Sequence, residues 1–164
     1  MGVASYRIKA AAIGRLLKEK GLSLGVAESC TGGLLSCRIT DVPGASAYFR
    51  GGIVAYDNAV KIDALGVAAS TIAAYGAVSR QCCMEMAEGA RLRLGTDAGA
   101  AITGIAGPDG GTRRKPVGTV FVGVSMRGRV RVKRFFFGGG RLSVKRRSAQ
   151  AALEMIETAL TGYR

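Results

Sequence analysis

The sequence predicts an α/β fold: a three-layer α/β/α sandwich on a mixed sheet, built as a single domain over residues 1–164. Three observations predict it. Helical apolar periods alternate with short apolar runs that read as buried strands. Two strands flanking residues 126–129 read as an antiparallel hairpin, which makes the sheet mixed. The chain has 164 residues, and at that length roughly two-thirds of the unfolded surface can be buried without disulfide or metal staples.

The elements follow in order. Residues 5–20 place Ile8, Ala12 and Leu16, with Ile13 and Leu17, at helical spacing, and Gly21 ends the helix. Residues 24–27 are short and apolar and read as a buried strand. A helix through Leu34, Leu35 and Ile39 comes next, then a turn over Asp41-Val42-Pro43-Gly44. Residues 52–56 read as a strand, and Asp57 caps a short helix through Lys61 and Leu65. Ser70 and Ser79 read as two further N-caps, the second opening a helix that Gly95 ends. Residues 98–103 form a second buried strand and run into a glycine loop over 104–111. Residues 117–125 and 130–137 form the hairpin. A final helix covers about 142–160.

Composition narrows the chemistry. Hydrophobic residues are 48% and charged residues 21%, which is globular rather than disordered. The chain has no His, so a Ser-His-Asp or Cys-His hydrolase and a His-ligated zinc site are excluded. Four cysteines, at 30, 37, 82 and 83, form no C-x-x-C pair. That argues against a disulfide framework or a zinc site and fits a reducing, cytoplasmic setting. No secretory signal and no membrane span are expected.

The formal charge is +13, and it is concentrated. Residues 113–147 hold twelve Lys and Arg and no acidic residue. Such a segment attracts anions: nucleic acid, acidic lipid or a phosphorylated small molecule.

Two strand-end loops carry the candidate chemistry, because ligands of open α/β sheets gather beyond the carboxyl ends of strands. The first, residues 29–33, carries the hydroxyls of Ser29 and Thr31 and opens a helix. Its small residues leave backbone N–H groups to meet an anion, aided by the helix dipole. It matches neither G-x-x-x-x-G-K-[ST] nor G-x-G-x-x-G. The second, residues 103–111, has four glycines in nine residues, which lets backbone approach a ligand. Without His, a serine nucleophile can use a lysine whose pKa is lowered by burial or nearby cations. Lys61 is the candidate, one helical turn beyond the 52–56 strand; a solvated helix lysine is the plainer reading of its spacing. Tyr56 ends that strand and can stack on a ring or hydrogen-bond a substrate.

Several motifs together carry a family likeness. They are Ala27-Glu28-Ser29-Cys30-Thr31-Gly32-Gly33, Thr40-Asp41-Val42-Pro43-Gly44 and Val54-Ala55-Tyr56-Asp57-Asn58-Ala59-Val60-Lys61. Gly76-Ala77-Val78-Ser79, residues 103–111 and Lys115-Pro116-Val117-Gly118-Thr119-Val120 complete the set. In order and spacing they resemble the CinA C-terminal domain family, the nicotinamide mononucleotide deamidases. The resemblance implies hydrolysis of the carboxamide of nicotinamide mononucleotide to nicotinic acid mononucleotide and ammonia, with no metal or organic cofactor. It places the reactive serine on Ser29, the lysine on Lys61 and the tyrosine on Tyr56. Candidate substrate contacts are Thr31, Gly32, Gly33, Asn58, Thr103, Gly104, Ala106, Gly107 and Arg141. Oxyanion donors are expected in residues 31–33 or 103–107. The sequence departs from the family at Gly51, with Arg50 one place early, at Arg113 and Arg114, at Gly140 where an Asp is usual, and at Lys145 where an Arg is usual. It resembles the stand-alone form of the domain. A homo-oligomer is a possible state.

The competing reading is a basic nucleic-acid-binding module. Its support is the 113–147 charge, the alternating Arg129, Arg131 and Lys133, and Phe135-Phe136-Phe137. Three contiguous Phe must send at least one ring into the core, and no RRM, KH or zinc signature is present. A small-molecule nucleotide is therefore the favoured partner, with nucleic acid unlikely.

Overall fold

Apolar strands fully buried along their length need helices on both faces, and the chain supplies them. The structure is a computed structural model that describes residues 3–162; residues 1, 2, 163 and 164 of the expected domain lie outside the described residues. Five strands form one sheet: β1 (Leu24–Glu28), β2 (Phe49–Val54), β3 (Ala98–Gly104), β4 (Thr119–Met126) and β5 (Arg129–Phe136). Their order is β2-β1-β3-β4-β5. β2, β1 and β3 run parallel, while β4 and β5 are antiparallel additions. The helices are α1 (Val3–Glu19), α2 (Leu34–Thr40), α3 (Asn58–Leu65), α4 (Ala69–Tyr75), α5 (Arg80–Arg93) and α6 (Arg141–Thr161). α1, α2 and α6 pack on one face, where Ile13, Leu17, Leu35, Val144, Leu153 and Ile156 close over Val26, Ile102 and Val122. α3, α4 and α5 cover the other, where Leu65, Cys82, Cys83, Met86 and Ala90 meet Ala27, Ala101 and Val132. This is the expected three-layer α/β/α sandwich on a mixed sheet.

Several local expectations are corrected. α1 buries Ala10, Ile13 and Leu17, whereas Ile8 is 72% exposed. Ile8 sits about 140° round the helix from Ile13, outside the stripe that faces α6. Ser70 does not cap α4; Ala68 holds the N-cap position. The helix start is instead satisfied from α5, because Glu85 accepts hydrogen bonds from the Ala68 N–H (2.8 Å) and the Thr71 hydroxyl (2.6 Å). Ser79 does cap α5, accepting from Cys82 N–H. β2 begins at Phe49, three residues earlier than expected, and ends at Val54. Leu24 pairs with Phe49 and Gly25 with Gly51, so Arg50 is the extra residue of a β-bulge. The one-place offset of that arginine thus has a backbone counterpart. The hairpin closes through Arg127 (φ 51°) and Gly128 (φ 68°), a two-residue turn with both φ positive, whose twist suits antiparallel strands.

Close helix packing depends on a few missing side chains. A Cβ on Gly89 of α5 would lie 2.0 Å from the Leu65 carbonyl oxygen at the end of α3. The glycine therefore lets α3 seat on α5. Among the described residues no helix is long and apolar enough to cross a membrane. Gly89→Ala must push α3 outwards, and overpacking of this kind typically costs about 1–3 kcal/mol. The check is denaturant unfolding: an unchanged midpoint would contradict the tight α3–α5 contact.

Candidate active site

The parallel strands all end on one side of the sheet. The connection from β1 leads out to β2, while β3 leads the opposite way to β4, so a crevice opens between their carboxyl ends. Antiparallel β5 finishes at the same end and delivers the N-terminus of α6 there.

Glu28, the last residue of β1, is fully buried. Its Oε2 accepts from Gly33 N–H (3.1 Å) and Leu35 N–H (3.0 Å), and its Oε1 from Ser36 N–H and Ser36 Oγ (both 2.8 Å). The carboxylate thus satisfies the start of α2 from the strand side. Gly32 N–H donates to Ser29 O (3.1 Å), and Ser29 N–H to Ile102 O (3.0 Å). These bonds correct one expectation: the N–H groups of Gly32 and Gly33 are occupied, and the anion at the start of α2 is the protein's own. Gly32 and Gly33 hold left-handed conformations, φ 59° and 92°, that turn the chain between Ser29 and the helix.

Ser29 is buried immediately beyond Glu28, and Ala55 N–H donates to Glu28 O, which keeps β2's end alongside. Lys61, in the first turn and a half of α3, is only 2% exposed. Its Nζ donates to the carbonyls of Tyr56 (3.1 Å) and Asp57 (3.4 Å). Asp57 itself caps α3 by accepting from Ala59 N–H. Among the described residues no carboxylate forms an ion pair with Lys61 and no hydrogen bond joins it to Ser29. Burial lowers its pKa, outweighing the opposing influence of Cys82, Asp57, Cys30 and Tyr56. The solvated-lysine reading of its spacing is thereby overturned. Burial acts oppositely on the neighbouring thiols, pushing Cys30 to about 12 and Cys82 to about 11. Thiolate nucleophiles are disfavoured there.

Arg141, the first residue of α6, ties the two sides together. It donates to Tyr56 Oη and to Gly107 O, both at 2.7 Å. Tyr56 is exposed at the mouth. Gly107 takes φ 81° and precedes Pro108 through a cis bond. Ala106 is buried, and Gly104 lies so close to β4 that a Cβ would meet Val120 at 2.7 Å. Thr103 is fully buried and its hydroxyl donates to Ala77 O (2.8 Å), so it ties the α4–α5 connection to β3 instead of facing the mouth. Asn58 opens α3 on an exposed surface.

Sequence reasoning missed a recess beside Ser29. A cavity of about 380 Å³ is lined by Thr31, Gly32, Gly33, Leu142, Lys145 and Arg146, among others. A Cβ on Gly32 would lie 3.6 Å from Lys145 Nζ. The Thr31 hydroxyl is buried with no partner among the described residues. The available signal was the four-residue step from Arg141 to Lys145, which puts both on one face of α6. Among the described residues no group of three or more His, Cys, Asp or Glu could hold a metal ion.

Fold and site define a three-layer α/β domain holding a serine, a buried lysine and an arginine at the carboxyl ends of the strands. The family model for the CinA C-terminal domain matches residues 7–160, and the chain belongs to that family. It is 53% identical over 140 residues to a CinA-like protein of Gemmatimonas aurantiaca, covering 85% of this chain and 33% of that protein. It is 48% identical over 145 residues to a CinA-like protein of Dictyoglomus turgidum, covering 88% and 35%. The chain therefore spans about a third of the length of these curated relatives. Among solved structures, the competence damage-inducible protein A (ComA) of Klebsiella pneumoniae superposes with TM-score 0.93 at 33% identity, covering 97% of this chain and 99% of that one. The competence/damage inducible protein CihA of Agrobacterium tumefaciens gives TM-score 0.92 at 40% identity, covering 95% of each.

Glu28→Gln puts an NH₂ group against two N–H or O–H donors. Each buried bond to a charged group contributes about 1.5–3 kcal/mol, so a loss of about 2 kcal/mol or more is expected in denaturant unfolding, with reduced protection of the Gly33, Leu35 and Ser36 amides in hydrogen exchange. Unaltered protection would contradict the role given to Glu28.

Proposed function

We propose that the chain is an amidohydrolase that converts nicotinamide mononucleotide to nicotinic acid mononucleotide and ammonia. The observation that carries this reading is Lys61: a buried amine without a carboxylate partner among the described residues, its pKa lowered by burial, on the helix that follows the strand beside Ser29. The free cysteines are compatible with a reducing, cytoplasmic setting.

The steps balance without a cofactor. Neutral Lys61 takes the Ser29 proton as Oγ attacks the carboxamide carbon. The resulting oxyanion needs N–H donors, each contributing about 3–4 kcal/mol in comparable sites. With Gly32 and Gly33 occupied, the candidates are the N–H groups of Thr31, Ala106 and Gly107. Lys61 passes its proton to the departing nitrogen, the C–N bond breaks, and ammonia leaves an ester on Ser29. Lys61 then deprotonates a water, which attacks the ester; the acid departs and Ser29 regains its proton. Arg141 holds Tyr56 against the glycine loop, so the tyrosine ring can flank the pyridine. The substrate phosphate occupies the recess of Thr31, Gly32, Lys145 and Arg146, where a buried hydroxyl lacks a partner and two cations converge.

Ammonia release is the test. Ser29→Ala and Lys61→Met should each lose at least about a thousandfold in kcat, in line with removal of a nucleophile or its base; near-normal turnover by Ser29→Ala would end the proposal. Because Lys61 acts neutral and its pKa lies below the usual ~10.4, kcat/KM should rise with pH and level off below that value. A profile that falls through neutral pH would remove Lys61 as base. Lys145→Gln should raise KM for the mononucleotide at least about tenfold while leaving any turnover of nicotinamide riboside, which lacks the phosphate, unchanged, a loss typical of one charged phosphate contact. Equal effects on both substrates would move the phosphate elsewhere.

A further inference from the structure

The basic segment divides between two ends of the molecule. Arg141 and Lys145 serve the site at the strand ends. Arg129, Arg131 and Lys133 lie elsewhere, in a groove of about 630 Å³ between β4–β5 and the C-terminal part of α6. The groove's wall on α6 runs from Met155 to Gly162, so at 1.5 Å per residue it lies roughly 20–30 Å along the helix from Arg141.

The groove has a regular build. The three cations alternate along β5 on one face, each advancing about 6.8 Å from the last. Each stands directly across from an apolar residue of β4: Arg129 from Met126, Arg131 from Val124 and Lys133 from Val122. Met155 and Ala159 of α6 extend the apolar floor. Phe135 continues the same face, with Lys133 Nζ 5.2 Å from its ring centroid. Among the described residues no carboxylate pairs with the three cations. The nearest acids on α6 are engaged elsewhere: Glu154 with Gln150 and Glu157 with Lys9.

We propose that this trough binds single-stranded nucleic acid without regard to sequence. Phosphates lie along Arg129, Arg131 and Lys133, and bases rest over the half-buried Met126, Met155 and Phe135, since Val122 and Val124 are buried in the core. A single strand presents both features side by side, charge on one edge and flat apolar faces on the other. A duplex hides its bases, and an acidic peptide lacks the flat faces, so both fit the trough less well.

The experiment is fluorescence anisotropy of a labelled twenty-residue oligo-dT between 50 and 200 mM KCl. The same-length duplex and poly-glutamate serve as competitors. The expected result is binding that falls steeply with salt and resists both competitors relative to unlabelled oligo-dT. Each phosphate contact contributes about 0.7 to the log–log salt slope for a single strand, so Arg129→Gln/Arg131→Gln/Lys133→Gln should make it shallower by about 2. Arg131→Gln alone, at an exposed position, should shift it by about 0.7 and guards against misfolding of the triple variant. The control Arg7→Gln/Arg15→Gln/Arg50→Gln removes the same charge from exposed sites elsewhere and should leave the slope unchanged. An equal loss in this control would reduce the binding to net charge and overturn the proposal. So would equal displacement by poly-glutamate, which would mark the groove as a site for acidic protein. Ammonia release from nicotinamide mononucleotide is expected to be unaffected by the groove substitutions, which keeps the two functional readings separable.

Discussion

One buried carboxylate organises the active end of this domain. Glu28 ends the central strand and accepts four hydrogen bonds from the first turn of α2. A buried carboxylate without such partners would be very costly, so β1, the Ser29 loop and α2 must form together. The conformation of the loop follows from this contact. Gly33 must turn its N–H back towards the strand, and Gly32 must close on Ser29 O, which both glycines do at positive φ. Ser29 is thereby fixed at the crest of a rigid turn.

The same interaction bears on where the charge of the proposed substrate would sit. A helix N-terminus over a sheet crevice is ordinarily an anion site. Here Glu28 already occupies it, and a second anion would meet like charge. The cations that can receive a phosphate come instead from α6. The chain reaches that position because β5 is antiparallel and finishes at the end where β1, β2 and β3 finish. Arg141 then spans from Tyr56 to Gly107, so residues 85 and 34 positions away become one wall. The antiparallel hairpin thus shapes the candidate site together with the parallel strands β1 and β2, whose ends lead to Ser29 and to the α3 helix of Lys61.

Much of this was legible in the sequence, for identifiable reasons. Apolar runs bounded by glycine are distinctive, so the strands, the two glycine loops and the hairpin could be placed. The order of motifs pointed to the family. What escaped were contacts between residues distant along the chain. A glutamate after an apolar strand looks like the onset of a loop, and nothing local says that it folds back on α2. Ser70 looks like a cap because capping is local, yet Glu85 caps that helix from another element. Thr103 looked like a ligand contact, but its hydroxyl is consumed by Ala77 O. Lys61 had helical spacing typical of a solvated residue; its burial comes with the packing of α3 on α5, near Cys82 and Cys30.

Charge distribution follows from the same topology. β5 runs the full depth of the sheet, so the strongly basic segment that includes it cannot be confined to one end. Its final residues lead into α6 and supply Arg141 and Lys145 where a nucleotide would sit. The first residues of β5 lie beside the far end of α6, too distant to help there, since at physiological salt exposed charges are screened within about 8 Å. Arg129, Arg131 and Lys133, without a carboxylate partner among the described residues, therefore gain nothing from the candidate site, and their mutual repulsion is a standing cost to the fold. An anion that bridges successive cations relieves that repulsion, and a flexible polyanion with apolar faces matches both rows at once. The sheet that assembles the candidate site at one end thus creates, by continuity of one strand, a second surface of different chemistry at the other.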